Sequence, residues 1–342
     1  MWLQQQNIKT YYIGKLMNAY SMGNFGDPYP NAWTNSSFLV DPWTYNYHKS
    51  RWTNQQQKKI ENHSGEHTTT VTQAKALDML EKAAKADDQF FMMIAPVAPH
   101  VEIAGGSKAP PAPRGFGDKF TGEKAPRLPN FNPDVPSGAS WVHKLEKLND
   151  NEVGMCDKMH VQRLRNINAI DHMVGLMLKK LQKHKILDNT YIIYTSDNGF
   201  HIGNHRMKPG KRCGYEEDIN VPFIVRGPNV PRGVRTEITN SHTDVAPTIL
   251  KMMGVPLRQS FDGQPIAYTK DDLASTRKGD YANVEYWDGI QYGWDGKKER
   301  KNGYYDNGTF KALRMNAGEY SFLYSVWCTN EHEFYDMNVS RR

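Results

Sequence analysis

The sequence predicts an α/β fold in which a mainly parallel sheet flanked by helices precedes a smaller C-terminal antiparallel portion. Two observations predict the sheet. Short β-branched or aromatic runs each end in a polar turn, and helix-type patterns separate these runs. A third observation predicts the second portion, because after about Pro256 the chain is rich in Tyr, Trp and Gly with short alternating runs. The predicted domains are residues 1–255 and 256–342.

Four strands and three helices make up the main portion. The strands are predicted at residues 10–13, 90–95, 191–195 and 222–225. The helices are predicted at about residues 70–86, at residues 161–181, where apolar side chains recur every three or four positions, and from a cap at Thr243 to Gly254. Residues 104–140 are rich in Pro and Gly and are predicted to form a long ordered loop. Residues 320–327 alternate like a strand of the antiparallel portion.

Composition excludes several classes of protein. The chain has 342 residues, 38% of them hydrophobic, and 43 basic against 37 acidic side chains give a net charge of +6. The sequence has no basic run with interleaved aromatic residues, the pattern that would indicate a nucleic-acid partner. The longest apolar stretch, residues 90–98, contains Pro96 and is shorter than the roughly 20 residues that a membrane span needs. The three cysteines lack a CxxC pair, so neither a zinc site nor a disulfide framework is expected.

Targeting signals are few. The first residues lack the pattern of a secretory signal. Glycosylation sequons nevertheless hint that the protein is a glycoprotein of the secretory pathway, and they begin at Asn35, Asn62, Asn307 and Asn338.

Chemistry-bearing residues follow the predicted strands. Lys15, His100 and the pair Asp197 and Asn198 come directly after three of them, and carboxyl ends of parallel strands share one edge of a sheet. A cation, a proton donor and oxygen ligands for a metal suit the hydrolysis of an anionic ester. Taken singly, each is more often an ordinary turn residue. Together they indicate a site.

The following loop adds further candidates. His201 and His205 lie within a few residues of the Asp-Asn pair, and Lys211 follows them. Two histidines and a lysine so close to oxygen ligands are expected to take part in the same site.

Several segments, in order along the chain, resemble the sulfatase family, and within it fungal arylsulfatases and glucosamine-6-sulfatases. They are YIGKLMN at 12–18, FFMMIAPVAPH at 90–100, TSDNGFHIG at 195–203, KR at 211–212, YE at 215–216, VPFIVRGP at 221–228, TDVAPTIL at 243–250 and EFYD at 333–336. The resemblance implies an alkaline-phosphatase-like fold and the hydrolysis of an aryl or sugar sulfate. It also implies a secreted, vacuolar or lysosome-like location for the complete protein.

The resemblance also implies roles for the candidate residues. Lys15, His100 and Lys211 would contact the sulfate or the leaving group, with His201 and His205 as further participants. Asp197 and Asn198 would contribute to a calcium site. Asp244 and Asp336 are expected to hold structure. Met17 stands where other sulfatases carry a histidine, which leaves open which group replaces that donor.

Two parts of the family pattern are missing from this sequence. No cysteine lies in the C-x-P-S-R motif whose cysteine becomes formylglycine, the family's nucleophile, and the acidic pair that completes the calcium site is absent. We therefore expect a partial calcium site, no turnover, and a chain truncated at both ends. Alternatives are a non-catalytic, anion-binding remnant or a phosphoesterase of the same superfamily.

Overall fold

The computed structural model describes residues 1–26, 28–55, 59–104, 106–275, 281–291, 304–305 and 308–339. The chain forms two compact units. The first comprises residues 1–124 and 157–188, and the second comprises residues 125–156 and 189–342. The predicted division between residues 255 and 256 stays a prediction.

The helices and strands follow one another in a mixed order. They are β1 Lys9–Gly14, β2 Asn35–Phe38, β3 Lys49–Asn54, β4 Lys59–Ser64, α1 Thr68–Lys85, β5 Phe90–Ala95, α2 Ser140–His143, α3 Asp150–Lys183, β6 Ile192–Tyr194, α4 Glu216–Ile219, β7 Ile224–Arg226, α5 Val245–Met252, α6 Lys270–Ser275, β8 Tyr281–Tyr286, β9 Ile290–Gln291, β10 Tyr304–Tyr305, β11 Phe310–Ala317, β12 Tyr320–Trp327 and β13 His332–Asp336. Residues 104–139 contain no helix or strand among those described, which confirms the predicted loop.

The first unit is built on the predicted parallel sheet. Strand β1 lies in its centre and pairs in parallel with β2 and β5. Gly14, the last residue of β1, lies opposite Phe38 of β2 and Ala95 of β5. The three strands therefore end together, and the residues that follow them start from one edge of the sheet.

Strand β5 has one partner, β1, among the described strands. Its side chains are only partly buried, and Met93 is 43% exposed. An apolar strand with an unpaired edge is a natural place for another strand to pair.

A buried histidine caps helix α1. His67 Nδ1 accepts a hydrogen bond from Thr69 N at 3.2 Å, while Nε2 donates to the Pro111 carbonyl oxygen at 3.1 Å. The ring therefore ties the helix start to the Pro-rich loop in its neutral form. Burial lowers the pKa of His67 from 6.5 to about 4. A protonated ring could not accept from the helix amide.

We expect His67 to make the first unit less stable in acid. The unfolded imidazole takes a proton below its usual pKa of 6.5, whereas the folded imidazole resists it down to about 4. The contribution of His67 is therefore complete above pH 6.5. It falls by on the order of 3 kcal/mol as the pH decreases to 4.

The measurement is chemical denaturation across this pH range. His67→Asn retains a good N-cap without a titrating group, so its unfolding free energy should depend less on pH than that of the unchanged protein. The exposed His143→Asn serves as the control. Parallel pH profiles for His67→Asn and the unchanged protein would contradict the expectation.

The second unit contains three separate sheets among the residues described, and the smallest of them pairs β9 with β10. Strands β13, β12, β11 and β8 make a four-stranded antiparallel sheet, which confirms the predicted C-terminal portion. Strands β6 and β7, expected in a mainly parallel sheet, pair with each other in antiparallel orientation. Only the short helix α4 lies between these two strands, and the chain returns along β6 in the opposite direction.

A buried carboxylate joins four segments of the second unit. Glu333 is 7% exposed and lies on β13. Its Oε1 accepts from Ala139 N at 2.6 Å and from the hydroxyls of Tyr215 and Tyr335 at 3.0 Å each. Its Oε2 accepts from Trp327 Nε1 at 2.6 Å. Burial and the Glu333 carboxylate raise the pKa of Tyr215, so its hydroxyl stays a donor.

The predicted cap at Thr243 was wrong by two residues. Ser241 begins a capping box, and its backbone N donates to Asp244 Oδ2 at 2.7 Å. A short 3-10 turn, His242–Asp244, then leads into α5. Asp244 therefore holds the start of this helical segment, the structural role that was expected of it.

The sequons differ in their surroundings. Asn62 is exposed, whereas Asn35 is half-buried in the strand β2 that pairs with β1. Asn307 and the serine of the Asn338 sequon lie outside the described residues. Among the helices described, none is long and apolar enough to cross a membrane.

Candidate functional site

Lys15 owes its position to a glycine. Gly14 has a φ of +120°, and a Cβ atom there would lie 2.0 Å from the Ala95 carbonyl oxygen. Only glycine allows β1 to approach β5 this closely. The same carbonyl oxygen accepts from Lys15 N at 2.9 Å. The Gly-Lys pair thus places a lysine where the parallel strands end.

His100 follows β5 at the same edge and is held by its backbone. Its carbonyl oxygen accepts from the Tyr47 hydroxyl at 2.7 Å, and Arg163 Nη1 donates to the carbonyl oxygen of Pro99 at 3.1 Å. His100 Nδ1 lies 2.8 Å from the Val101 carbonyl oxygen. A carbonyl can only accept, so Nδ1 carries a hydrogen and Nε2 is the basic nitrogen of the neutral ring.

Tyr45 brings Lys15 and His100 together, and the sequence did not reveal it. Its ring centroid lies 4.3 Å from that of His100 and 5.2 Å from Lys15 Nζ. Its hydroxyl donates to Asn18 Oδ1 at 3.1 Å. Met17, in contrast, is 58% exposed. No sequence pattern marks Tyr45, which lies in the loop between β2 and β3.

Asp197, Asn198 and Lys211 form a second group, in the second unit. Lys211 Nζ donates to Asn198 Oδ1 at 3.1 Å, and Asp197 Oδ1 accepts from Asn198 N at 3.0 Å. Gly199 allows the turn, because a Cβ there would lie 1.9 Å from the Glu217 carbonyl oxygen. The structure therefore brings the predicted lysine and the predicted oxygen pair together.

The side-chain oxygens of Asp197 and Asn198 are possible ligands of a calcium ion. A carboxylate and an amide oxygen are donors that calcium accepts, but calcium takes about six to eight oxygen ligands. Asp197 and Asn198 thus fit part of a calcium shell. The calcium site itself stays a prediction.

His201 and His205 are buried in the same unit. His201 is fully buried, and its Nδ1 donates to the two Asp218 carboxylate oxygens at 3.0 and 3.1 Å. The ring of His205 stacks on Tyr215 with centroids 4.2 Å apart, and burial lowers the pKa of His205. These contacts favour structural roles. Direct participation in catalysis stays a prediction.

A buried trio surrounds Asp218. Ligand-type atoms of His201, Cys213 and Asp218 lie within 4.8 Å of one another. Asp218 Oδ2 also accepts from Cys213 N at 2.8 Å, so hydrogen bonds already connect the trio. Burial raises the pKa of the Cys213 thiol well above its usual value. We therefore interpret the trio as a hydrogen-bonded anchor for the loop.

Comparisons with known proteins agree on one family. The sequence profile of the family described as Sulfatase matches residues 1–255. Sulfatase ppz1 of Metarhizium majus is 36% identical over 280 residues, which cover 81% of this chain and 60% of that protein. An arylsulfatase of Volvox carteri is 31% identical over 372 residues, which cover 99% of this chain and 56% of that protein. The chain thus spans a little over half the length of these relatives.

A solved structure supports the fold. The structure of BT4656 in complex with its substrate D-glucosamine-2-N,6-O-disulfate matches with a TM-score of 0.65 and 21% identity. The match covers 99% of this chain and 75% of that one. At this identity the likeness concerns the fold alone, and it agrees with the predicted parallel sheet and antiparallel C-terminal portion.

Proposed function

Since this chain belongs to the sulfatase family, we propose that it serves the hydrolysis of sulfate esters and that its own residues bind the sulfate group. The observation that carries the proposal is the contact of Lys15 and His100 with one tyrosine ring at the end of the parallel strands. An ammonium and an imidazole on one ring suit an anionic ester, because the ammonium offsets its charge and the imidazole can transfer a proton.

Each residue has a proposed role. The Lys15 ammonium attracts the sulfate oxygens. When its ring is protonated, His100 can give the proton on Nε2 to the leaving oxygen, since the hydrogen on Nδ1 is engaged with the Val101 carbonyl. Lys211, Asp197 and Asn198 also serve sulfate ester hydrolysis in this proposal, and the Lys211 contact with Asn198 supports a shared task for them. A calcium ion bound by Asp197 and Asn198 would supply positive charge.

The family's nucleophile has no counterpart among the cysteines of this chain. Cys156 and Cys213 are buried, Cys328 is exposed, and none lies in C-x-P-S-R. The three do not fit a formylglycine site. We therefore propose that this polypeptide binds the sulfate group without hydrolysing the ester. Hydrolysis of sulfate esters by a longer protein is part of the same proposal.

Sulfate binding by the purified protein tests the proposal. NMR titration with sodium sulfate should show saturable binding, which Lys15→Ala and His100→Ala each weaken by about ten-fold or more. Lys9→Ala is the matched control, because Lys9 lies on the same strand but pairs with Asp88 at 3.8 Å. No binding, or equal losses for Lys9 and Lys15, would overturn the proposal.

Turnover separates the alternatives. A chromogenic aryl sulfate with calcium should show no turnover above that of the Lys15→Ala, His100→Ala double variant. Clear turnover lost in that variant would mean that another side chain serves as nucleophile. Hydrolysis of a phosphate ester instead would favour the phosphoesterase. Fusion to a relative's segment that carries C-x-P-S-R should restore sulfate turnover, and a well-folded but inactive fusion would favour the remnant.

A secreted or vacuolar location is part of the proposal, and the exposed Asn62 sequon supports it. A glycan on Asn62 in protein from the native source, detected by mass spectrometry, is the expected result. An unmodified Asn62 there would count against this location.

A further inference from the structure

We propose that Tyr45 is the positioning residue of the sulfate site, where its ring holds the Lys15 ammonium and the His100 imidazole. This inference rests on the proposed function. Tyr45 lies between β2 and β3, so it approaches from a third segment of the chain. It contacts both candidate residues, at 5.2 Å and 4.3 Å.

An aromatic ring is a suitable support for a cation that must bind an anion. Several other lysines of the first unit are paired with carboxylates, as Lys75 is with Glu61 and Lys82 with Asp78. A carboxylate neutralises its lysine and repels a sulfate. The Tyr45 ring restrains Lys15 by a cation–π contact and adds no negative charge. Lys15 is half-buried and has no ion pair among the residues described.

The same ring limits the orientation of His100. The backbone of His100 is fixed through Tyr47, and Nδ1 is fixed through Val101. The remaining freedom is rotation and tilt of the imidazole ring. Contact with Tyr45 at an interplanar angle of 33° restricts that movement. Nε2 therefore keeps one direction relative to the lysine.

Tyr45 is itself held at both ends. Its hydroxyl donates to Asn18 Oδ1 at 3.1 Å, and its carbonyl oxygen accepts from Ile103 N at 3.2 Å. Its ring also packs against the buried core of the first unit. Tyr45 therefore has little freedom to move away from Lys15 and His100.

The test compares the affinities of Tyr45 variants for inorganic sulfate by NMR titration. Tyr45→Leu should weaken binding by about five-fold, while Tyr45→Phe, which keeps the ring, should stay within about two-fold of the unchanged protein. Trp43→Leu is the matched control, because Trp43 lies in the same loop and makes a cation–π contact with Arg51 at 3.5 Å. It should leave sulfate binding unchanged.

A double variant separates positioning from general damage. If Tyr45 acts through Lys15, most of the Tyr45→Leu effect should disappear in a Lys15→Ala background. Equal losses in both backgrounds would overturn the inference. If Tyr45→Leu does not fold, Tyr45→Met, which also removes the aromatic ring, should still weaken binding by about five-fold, and unchanged binding would overturn the inference.

The two proposals fail differently. Weak sulfate binding by Lys15→Ala together with unchanged binding by Tyr45→Leu would contradict the positioning role of Tyr45 but not the proposed function. Unchanged sulfate binding by Lys15→Ala would contradict both.

Discussion

Replacing Gly14 with alanine is expected to destabilise the first unit by about 4 kcal/mol and to abolish sulfate binding. The new Cβ would lie 2.0 Å from the Ala95 carbonyl oxygen and 2.5 Å from its carbon, which are backbone atoms of a paired strand. Relief requires β1 and β5 to separate where Lys15 begins. The lysine then loses its position even if the unit still folds.

Two controls separate steric overlap from backbone strain. Gly65 also has a positive φ, +88°, but nothing lies within 4 Å of its added Cβ. Gly65→Ala should cost only about 1 kcal/mol and keep sulfate binding. Gly26→Ala has open space and no positive φ, so it should change little. Denaturant unfolding and sulfate titration measure both effects. A Gly14→Ala protein as stable as Gly65→Ala would refute the steric argument.

Removing the Glu333 carboxylate is expected to cost the second unit about 4 kcal/mol. Glu333→Ala leaves four donors without their acceptor: the buried Ala139 amide, Tyr215 hydroxyl and Trp327 indole, and the hydroxyl of the half-buried Tyr335. A single hydrogen bond contributes less, but all four donors here depend on one group. The midpoint of denaturant unfolding is the measurement.

Glu333→Gln tests the charge. The amide keeps the size, but its NH₂ group would face donors, so we expect a loss between those of alanine and the unchanged protein. Glu319→Ala, at an exposed position, should change stability by less than about 0.5 kcal/mol. A Glu333→Ala protein within 1 kcal/mol of the unchanged one would show that water replaces the carboxylate.

Local patterns predicted the parts of the fold that depend on neighbouring residues. Aromatic and β-branched runs marked β1 and β5, and apolar spacing marked α1 and α3, because burial of one face leaves a period in the sequence. The pairing of β6 with β7 depends on tertiary folding. The spacing of apolar residues within each strand carries no information about its partner. The helix start moved to Ser241 because two hydroxyl residues, Ser241 and Thr243, lie close enough in the sequence for either to serve as the cap.

The candidate site was predictable where a residue directly follows a strand. Lys15 and His100 met this condition, and the parallel register explains why they share an edge. Tyr45 lies in an irregular loop, and its contact with both depends on tertiary folding. His201 and His205 could be named from the sequence, but not their burial, since a histidine beside glycines is equally suited to a surface loop.

The Glu333 network also has a consequence for the order of folding. Its acceptor and the Ala139 amide are 194 residues apart, and Tyr215 is 118 residues away. Contacts of such long range form late, because much of the chain must be in place first. During synthesis, Ala139 and Tyr215 leave the ribosome long before Glu333 exists, and their donors stay hydrated until then. Loss of Glu333 should therefore accelerate unfolding while it hardly slows refolding.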